Sequence, residues 1–338
     1  MINAGIDLQM FDGYIGFSVD YYNTNTSNML LYVPVPLLTG YSTSLQNLGK
    51  VNNRGWELAL TSQHTFANGF GYSFNANYAK NTNEVKELGP GNAPIISSGS
   101  VGHAYYITEV GKPIGNYYLL VQDGIFATEE DLKKYPHFDN TEVGDFRFVD
   151  VDGDGKLDLD KDRTICGNYM PKFTYGFGGK LWYAGFDMDF NFQGVYGNKI
   201  LNLNKRYLDN MEGNTNGTKI ALDRWKSPEN PGSGSVNKAN RKQTGYNSRT
   251  STWHLESGSY LRLQNLSLGY TLPRALTQKF KVEKMRVYVS GQNLFTITNY
   301  SGYNPEVNAR PSKNLTPGED YGTYPLARTY MFGLNLTL

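Results

Sequence analysis

Residues 328–338 read RTYMFGLNLTL and form the last segment of a 338-residue chain. Apolar side chains occupy every second position from Tyr330 onward, and Gly333, Asn335 and Thr337 alternate with them. This period of two is typical of a β-strand with one apolar and one polar face. Bacterial outer-membrane barrels pair their last strand with their first, so an amphipathic strand at this position favours a barrel in a membrane.

The composition indicates an all-β protein. The chain holds 32 Lys and Arg against 31 Asp and Glu, so no basic excess points to nucleic acid as a partner. Its 26 Tyr and 37 Gly suit short strands and polar loops. No run approaches the roughly 18 apolar residues of a membrane-spanning helix, whereas a spanning strand needs apolar residues on its lipid face only. The single cysteine, Cys166, has no partner for an internal disulfide.

Other segments show the same alternation, most clearly 185–195, where four apolar residues alternate with Asp187, Asp189, Asn191 and Gln193. The remaining ones are 2–10, 14–23 continued by 27–33, 54–64, 70–80, 172–182, 258–270 and 284–295. Together with 328–338 they predict nine strands, and we expect a tenth within a long loop or its flank.

The connections between these segments alternate in length. The short or medium ones are 11–13, 65–69, 183–184 and 271–283; the long ones are 34–53, 81–171, 196–257 and 296–327. Outer-membrane barrels place short turns in the periplasm and long loops outside, whereas β-sandwich loops show no such parity. Aromatic residues such as Tyr21, Tyr78, Trp182 and Tyr270 stand near strand ends, as interfacial girdles require. The sequence therefore predicts a transmembrane antiparallel β-barrel in the cell outer membrane.

Six blocks of this sequence resemble the C-terminal part of SusC/RagA-type TonB-dependent outer-membrane transporters. They are NLGKVNNRGWELAL (47–60), GKPIGNYYLLVQDGIF (111–126), GDFRFVDVDGDGKLDLDKDRTI (144–165), RWKSPENP (224–231), SYLRLQNLSLGYTLP (259–273) and VYVSGQNLFTITNYSGYNPEV (287–307). The resemblance implies that residues 1–338 form the C-terminal portion of a plugged, 22-stranded barrel. It also implies active uptake of a large nutrient ligand, an oligosaccharide or peptide, with a SusD-like surface lipoprotein.

The start of the chain adds an expectation about its extent. Met1 leads directly into a strand-like pattern, without the charged and apolar regions of a signal peptide. We therefore expect this chain to be a fragment, because the plug domain, the N-terminal extension and the signal peptide have no counterpart in it. Contact with the TonB complex would be made by that missing N-terminal part.

An Asp-rich segment predicts a calcium site. Carboxylates at alternate positions, with a glycine at the sixth place, allow a loop to surround one hard cation, and a backbone carbonyl supplies a further oxygen. The predicted ligands of this structural Ca²⁺ are Asp150, Asp152, Asp154, Lys156 through its carbonyl, Asp158 and Asp162. The alternative is an Asp- and Gly-rich surface turn that binds no ion.

Aromatic residues in the loops predict ligand or partner contacts. Flat rings suit the CH-rich faces of sugars, and nearby polar groups bond their hydroxyls. The candidates are Tyr117, Tyr118, Trp225, Trp253 and Tyr303, together with Tyr246 and Tyr321. The alternative is that these rings pack within their own loops or against a partner protein.

The sequence contains no catalytic pattern, and we do not expect this protein to be an enzyme. His64, His103, His137 and His254 lack metal-ligand spacing, and no hydrolase or phosphate-loop motif occurs. Two other functions remain open from the residues alone. One is a passive outer-membrane channel or small self-closing barrel, and the other is a soluble, calcium-dependent surface-binding protein with a β-sandwich core.

Overall fold

The computed structural model describes residues 1–34, 38, 40–41, 43–101, 103–242 and 245–338. Nine long strands form one antiparallel sheet, and each pairs with its neighbours in chain order. Numbered along the chain together with shorter loop strands, they are β1 (Ile2–Met10), β2 (Ile15–Pro34), β3 (Thr43–Thr65), β4 (Gly71–Glu87), β11 (Phe173–Tyr183), β12 (Phe186–Tyr196), β15 (Tyr260–Thr271), β16 (Lys284–Thr298) and β18 (Thr329–Thr337). The all-β class and the nine predicted strands are confirmed; among the described residues, no tenth strand joins this sheet.

The long connections on one side of the sheet carry the remaining strands. The short strands are β5 (Ile95–Ser98), β6 (Tyr105–Thr108), β7 (Asn116–Leu120), β8 (Gln122–Ile125), β9 (Phe146–Phe148), β10 (Arg163–Asn168), β13 (Lys199–Asn202), β14 (Leu255–Ser257) and β17 (Glu319–Asp320). They pair in the orders β10-β7-β6-β5, β14-β13-β17 and β8-β9. The loops therefore fold into small sheets of their own, with buried cores.

The helices are short. They are α1 (Glu129–Lys134), α2 (Lys205–Leu208) and α3 (Arg274–Thr277), with 3₁₀ turns at Pro90–Asn92, Lys219–Asp223, Thr252–His254 and Gln278–Phe280. None of the helices in the described part of the chain has the length and apolar character needed to cross a membrane.

The register of the large sheet separates apolar from polar side chains. One row crosses eight strands through Leu8, Phe17, Leu60, Ala76, Phe177, Phe192, Leu263 and Phe295. The adjacent row, on the opposite face, crosses all nine through Gln9, Gly16, Thr61, Asn75, Gly178, Asn191, Asn265, Gln292 and Thr329. A barrel wall has this arrangement, with the apolar face toward lipid and the polar face toward the lumen.

Aromatic rings mark both ends of the apolar face. On the side of the long connections, the Phe173 and Tyr196 rings stack with centroids 4.9 Å apart. On the side of the short turns, the Phe186 and Tyr270 centroids are 4.5 Å apart. The ten residue steps from Phe186 to Tyr196 rise about 33 Å along the strand, or about 23 Å along the membrane normal at a tilt of about 45°. This matches the height of the apolar band of an outer-membrane barrel.

Two predicted loops are too long. Residues 81–87, predicted as part of the connection 81–171, belong to β4 and pair with β3. Residues 43–53, predicted as part of the long connection 34–53, belong to β3 and pair with β2 and β4. The hairpin of β2 and β3 therefore continues past the apolar band, and residues 35–37, 39 and 42 of its tip lie outside the described part. Opposite it, the tightest turn of the sheet consists of Ala184 and Gly185, both with positive φ (48° and 86°). This is the conformation that short hairpin turns require.

Candidate functional site

Three of the predicted metal ligands lie together in the loop between β9 and β10. Carboxylate oxygens of Asp150, Asp152 and Asp162 lie within 4.8 Å of one another. Asp162 is only 1 % exposed, and its two oxygens accept hydrogen bonds from the backbone N–H groups of Val151 (2.8 Å) and Asp158 (2.6 Å). This buried carboxylate thus ties together the two ends of the loop.

The other predicted ligands lie outside this cluster of three. The Asp154 side chain accepts from the Lys156 backbone N–H at 2.9 Å, and the Asp158 side chain accepts from Asp160 at 2.6 Å and Lys161 at 3.2 Å. These backbone donors lower the pKa of Asp158, because they favour its charged form. Backbone hydrogen bonds, the strongest from Gly155, likewise lower the pKa of Asp150. The backbone of the loop therefore favours the charged forms of Asp150 and Asp158, and a cation ligand must be charged.

The predicted ligand contact at Tyr117 needs correction. Its side chain is fully buried, and its hydroxyl donates to the carbonyls of Lys199 and Gly318, each at 3.0 Å. Burial raises the pKa of Tyr117 well above its ordinary value. The ring therefore holds three loops together and presents no surface to a ligand. Tyr118, the next residue on β7, is half-buried.

Trp225 and Trp253 also pack within the loops. Both lie against an apolar cluster that contains Phe146 and Phe138, and the Trp253 ring is 5.2 Å from that of Phe146. Tyr246 belongs to the same cluster, since it stacks on Phe138 at 4.2 Å. Burial of large apolar area explains these aromatics better than exposure to a ligand.

Tyr303 is the most exposed of the predicted aromatics. It is 82 % exposed and lines a cavity of about 410 Å³ between α2 and the two ends of the connection from β16 to β18. Tyr324, 89 % exposed, lines the same cavity, which also contains Asn204, Lys205 and Asp209. Sequence analysis missed Tyr324, although an isolated tyrosine in a polar loop is the same signal that identified Tyr303.

Hydrogen bonds already occupy the charged groups of this cavity. The Lys205 ammonium donates to the carbonyl of Trp253 at 2.6 Å and lies 3.5 Å from the Glu256 carboxylate. The Asp209 carboxylate accepts from the Thr218 hydroxyl at 2.5 Å. The cavity thus offers two exposed rings with polar groups in fixed positions, an arrangement suited to a polar organic ligand.

A polar network fixes the loop that carries Tyr303. Arg262, on the lumenal face of β15, donates to the Thr296 hydroxyl at 2.9 Å, to the Asn304 side chain at 2.8 Å and to the Glu306 carboxylate. Glu306 also accepts from the Tyr260 hydroxyl at 2.6 Å. These contacts, which we call the Arg262 network, attach the loop to the barrel wall on both sides of Pro305.

A second network joins the two largest loops. The Asn247 amide donates to Asp145 and to Glu212, each at 2.9 Å, and its oxygen accepts from the Phe146 N–H at 2.7 Å. Desolvation by burial raises the pKa of Glu212. No sequence signal identified either network, because each joins residues that are distant along the chain.

The sequence matches a known protein family over most of its length. Residues 2–294 match the family model described as TonB dependent receptor-like, beta-barrel. The chain belongs to this family. The TonB-dependent receptor P3 of Formosa agariphila is 34% identical over 99% of this chain and 33% of its own length. The TonB-dependent receptor SusC of Bacteroides thetaiotaomicron is 27% identical over 99% of this chain and 31% of its length.

Solved structures agree with this assignment to the TonB-dependent receptor family. A chain of the RagAB peptide transporter superposes with a TM-score of 0.79 at 25% identity and covers 99% of this chain. This chain in turn covers 34% of that one, and it spans about a third of the curated relatives it matches. The resemblance to SusC/RagA transporters is thereby confirmed, and the nine-stranded sheet is part of a TonB-dependent receptor barrel.

Proposed function

We propose that this protein forms part of the barrel of an outer-membrane receptor that imports a nutrient ligand by TonB-dependent active transport. The observation that carries the proposal is the nine-stranded wall, whose outward row is apolar and whose inward row is polar, in a chain that matches the receptor-barrel family over residues 2–294. A β-sandwich would bury its apolar row between two sheets, whereas here Leu8, Phe295 and Phe332 of the apolar face stay exposed.

The ligand would bind between the loops and the plug, under a SusD-like surface lipoprotein. The exposed rings of Tyr303 and Tyr324, in a cavity of about 410 Å³, support a ligand contact at this place. An oligosaccharide or a peptide fits the proposal, and one structural relative is named a peptide transporter. Residues outside this chain would contact the TonB complex, which draws on the proton-motive force.

Uptake measurements test this function. In cells whose only copy of the complete receptor is the tested one, we expect uptake to stop when a protonophore collapses the proton-motive force or when TonB is deleted. A Tyr303→Ala, Tyr324→Ala variant should raise the ligand concentration for half-maximal uptake without lowering the amount of receptor in the membrane. Leu222→Ala, at an exposed apolar loop position outside the cavity, is the matched control. Uptake that continues without TonB, with a steady conductance in planar bilayers, would instead indicate a passive channel.

We further propose that the Asp150, Asp152 and Asp162 cluster binds a structural Ca²⁺. Three carboxylates within 4.8 Å repel one another unless a cation lies between them, and oxygen ligands of this kind are those that Ca²⁺ prefers. The bound ion would rigidify the loop between β9 and β10, with Asp154, Asp158 and the Lys156 carbonyl as additional oxygens when the loop adjusts.

Calorimetry and limited proteolysis test the calcium proposal. Asp152→Ala should abolish Ca²⁺ binding and accelerate cleavage of this loop, whereas Asp160→Asn, at a side chain that is 90% exposed and outside the cluster, should change neither. Equal Ca²⁺ affinity of the Asp152→Ala variant and the unchanged protein would contradict the proposal.

A further inference from the structure

A second cavity, of about 380 Å³, lies within the long connection between β12 and β15. Its wall is built from residues within 211–217, 221–224 and 239–241. Two of them are arginines, Arg224 and Arg241, and among the described residues of the wall none is acidic. We call this space the arginine cavity.

Two kinds of contact fix the Arg241 side chain at this cavity. The Gly213 N–H donates to the Asn240 carbonyl, and the Asn240 N–H donates to the Met211 carbonyl, each at 3.0 Å. Arg241 therefore stands beside the segment that contains Gly213, and its Nε donates to the Asn214 side chain at 3.2 Å. Because Asn214 also lines the cavity, this hydrogen bond places the guanidinium of Arg241 there, and not only its backbone.

Arg224 is held in the same way from another part of the loop. It follows the 3₁₀ turn Lys219–Asp223, and its Nη1 donates back to the Ala221 carbonyl at 2.9 Å. Ala221 lines the cavity as well. The next residue, Trp225, packs against the apolar cluster of the loops and so fixes the backbone at this point. Both guanidinium groups are thus bound to residues of the cavity wall.

The two arginines keep N–H donors for a ligand. A guanidinium has five N–H groups, and each of these two uses one nitrogen in the contacts above. Among the described residues, no further hydrogen bond or ion pair involves either arginine side chain. The surrounding connection, 197–259, contains ten Lys and Arg against five Asp and Glu, although the whole chain is nearly balanced. The arginine cavity therefore carries positive charge that no carboxylate of the described chain pairs.

The arginine cavity adjoins the cavity that Tyr303 lines. Gly217 and Thr218 are neighbours in the chain, and Gly217 lines the arginine cavity whereas Thr218 lines the Tyr303 cavity. Leu208 also lines the Tyr303 cavity, and its carbonyl accepts from the Thr218 N–H at 3.0 Å, which closes the segment 208–218 into a compact loop. This one loop lies between the two cavities, so an extended ligand that crosses it contacts both.

We propose that Arg224 and Arg241 bind a carboxylate of the imported ligand, while an uncharged part of the same molecule lies against the Tyr303 and Tyr324 rings. The inference rests on the proposed function and narrows its ligand to an acidic oligomer, of sugars or of amino acids. A guanidinium offers parallel N–H donors to the two oxygens of a carboxylate, and such charge-assisted hydrogen bonds are stronger than those between neutral groups. A neutral oligomer would leave both charges unpaired, so the cavity discriminates against it.

Calorimetry of the complete receptor in detergent tests the inference with two matched pairs of probes. The sugar pair is tetragalacturonate and its methyl ester, and the peptide pair is tetraglutamate and tetraglutamine with blocked termini. We expect the acidic member of one pair to bind about tenfold more tightly than its neutral partner. Arg224→Gln with Arg241→Gln should remove this preference and leave the affinity for the neutral member unchanged. Lys219→Gln with Lys226→Gln removes the same charge at exposed positions of the same loop, outside the cavity, and should preserve the preference.

The pair that shows the preference identifies the ligand as a sugar or a peptide. Three results would overturn the inference: no preference in either pair, a preference that survives in the arginine variant, or an equal loss in the lysine variant. The first result needs no variant, and amide hydrogen exchange of residues 205–242 verifies that the loop of each variant is folded. Binding in detergent is independent of transport, because a receptor that prefers the acidic probe but shows no TonB-dependent uptake would contradict only the proposed function.

Discussion

Replacement of Arg262 by methionine should release the loop that carries Tyr303. The substitution keeps most of the side-chain volume and removes the hydrogen bonds to Thr296, Asn304 and Glu306. Breaking a fully buried ion pair costs about 3–5 kcal/mol. Glu306 is 36% exposed and keeps its donors Tyr260 and Gln193, so we expect about 2–3 kcal/mol.

Hydrogen exchange measures this effect locally. A loss of 2–3 kcal/mol should accelerate amide exchange in residues 300–308 about 30- to 150-fold, while the strands of the wall exchange as before. Arg328→Met, at an exposed position before β18, is the matched control and should leave residues 300–308 unchanged. Acceleration of less than about threefold in the Arg262→Met variant would show that the Arg262 network does not hold the loop.

Three further predictions concern the wall and the loops. Gly269→Ala should lower the free energy of unfolding, obtained from a urea titration, by about 1–3 kcal/mol, because its Cβ would lie 2.3 Å from the Arg286 guanidinium, which reaches toward Asp187. Gly217→Ala, whose Cβ would lie 3.3 Å from the Leu208 carbonyl oxygen, should have a smaller effect. Phe192→Arg, on the lipid face, should cost about 2–4 kcal/mol of folding free energy in the membrane and so lower the folded fraction that heat-modifiable migration on gels measures. Asn191→Arg, on the lumenal face, should leave that fraction unchanged. Burial lowers the pKa of His254 to about 3, so the folded loops favour its neutral form. Their stability is therefore highest above the ordinary histidine pKa of about 6.5 and falls as the pH drops below it. Proteolysis of the loops should be faster at pH 4 than at pH 7, and His254→Gln should reduce this difference in rate.

Side-chain alternation predicts the membrane part of the fold because lipid and lumen impose opposite polarity on successive residues. Alternation no longer predicts a strand beyond the membrane, where the two faces do not meet lipid and lumen. The upper part of β3 is surrounded by loops rather than by lipid. Val51 packs in a buried apolar cluster with Val85 and Ile95, while the next residue, Asn52, donates to Asn23 at 2.6 Å and to Asn25 at 2.8 Å. Because this stretch does not lie between lipid and lumen, its apolar residues Leu45, Leu48 and Val51 do not alternate with period two, and its sequence reads as a loop. The error at 34–53 therefore has the same physical origin as the successes at 185–195.

The candidate sites divide in the same way. The Asp cluster could be predicted because its carboxylates lie within a stretch of thirteen residues, and local turns bring them together. Tyr117 could not, because the carbonyls that bind its hydroxyl belong to residues 82 and 201 positions away. Tyr303 stands between these cases: its own residue type suggested a contact, but Arg262, 42 positions before Asn304, holds the loop that presents it. The segment SGYNPEV is thus better understood as an anchor, Asn304 and Glu306, that fixes where an exposed ring stands. In a loop of this kind, substitution of the ring leaves the anchor intact, whereas loss of the anchor would displace the ring.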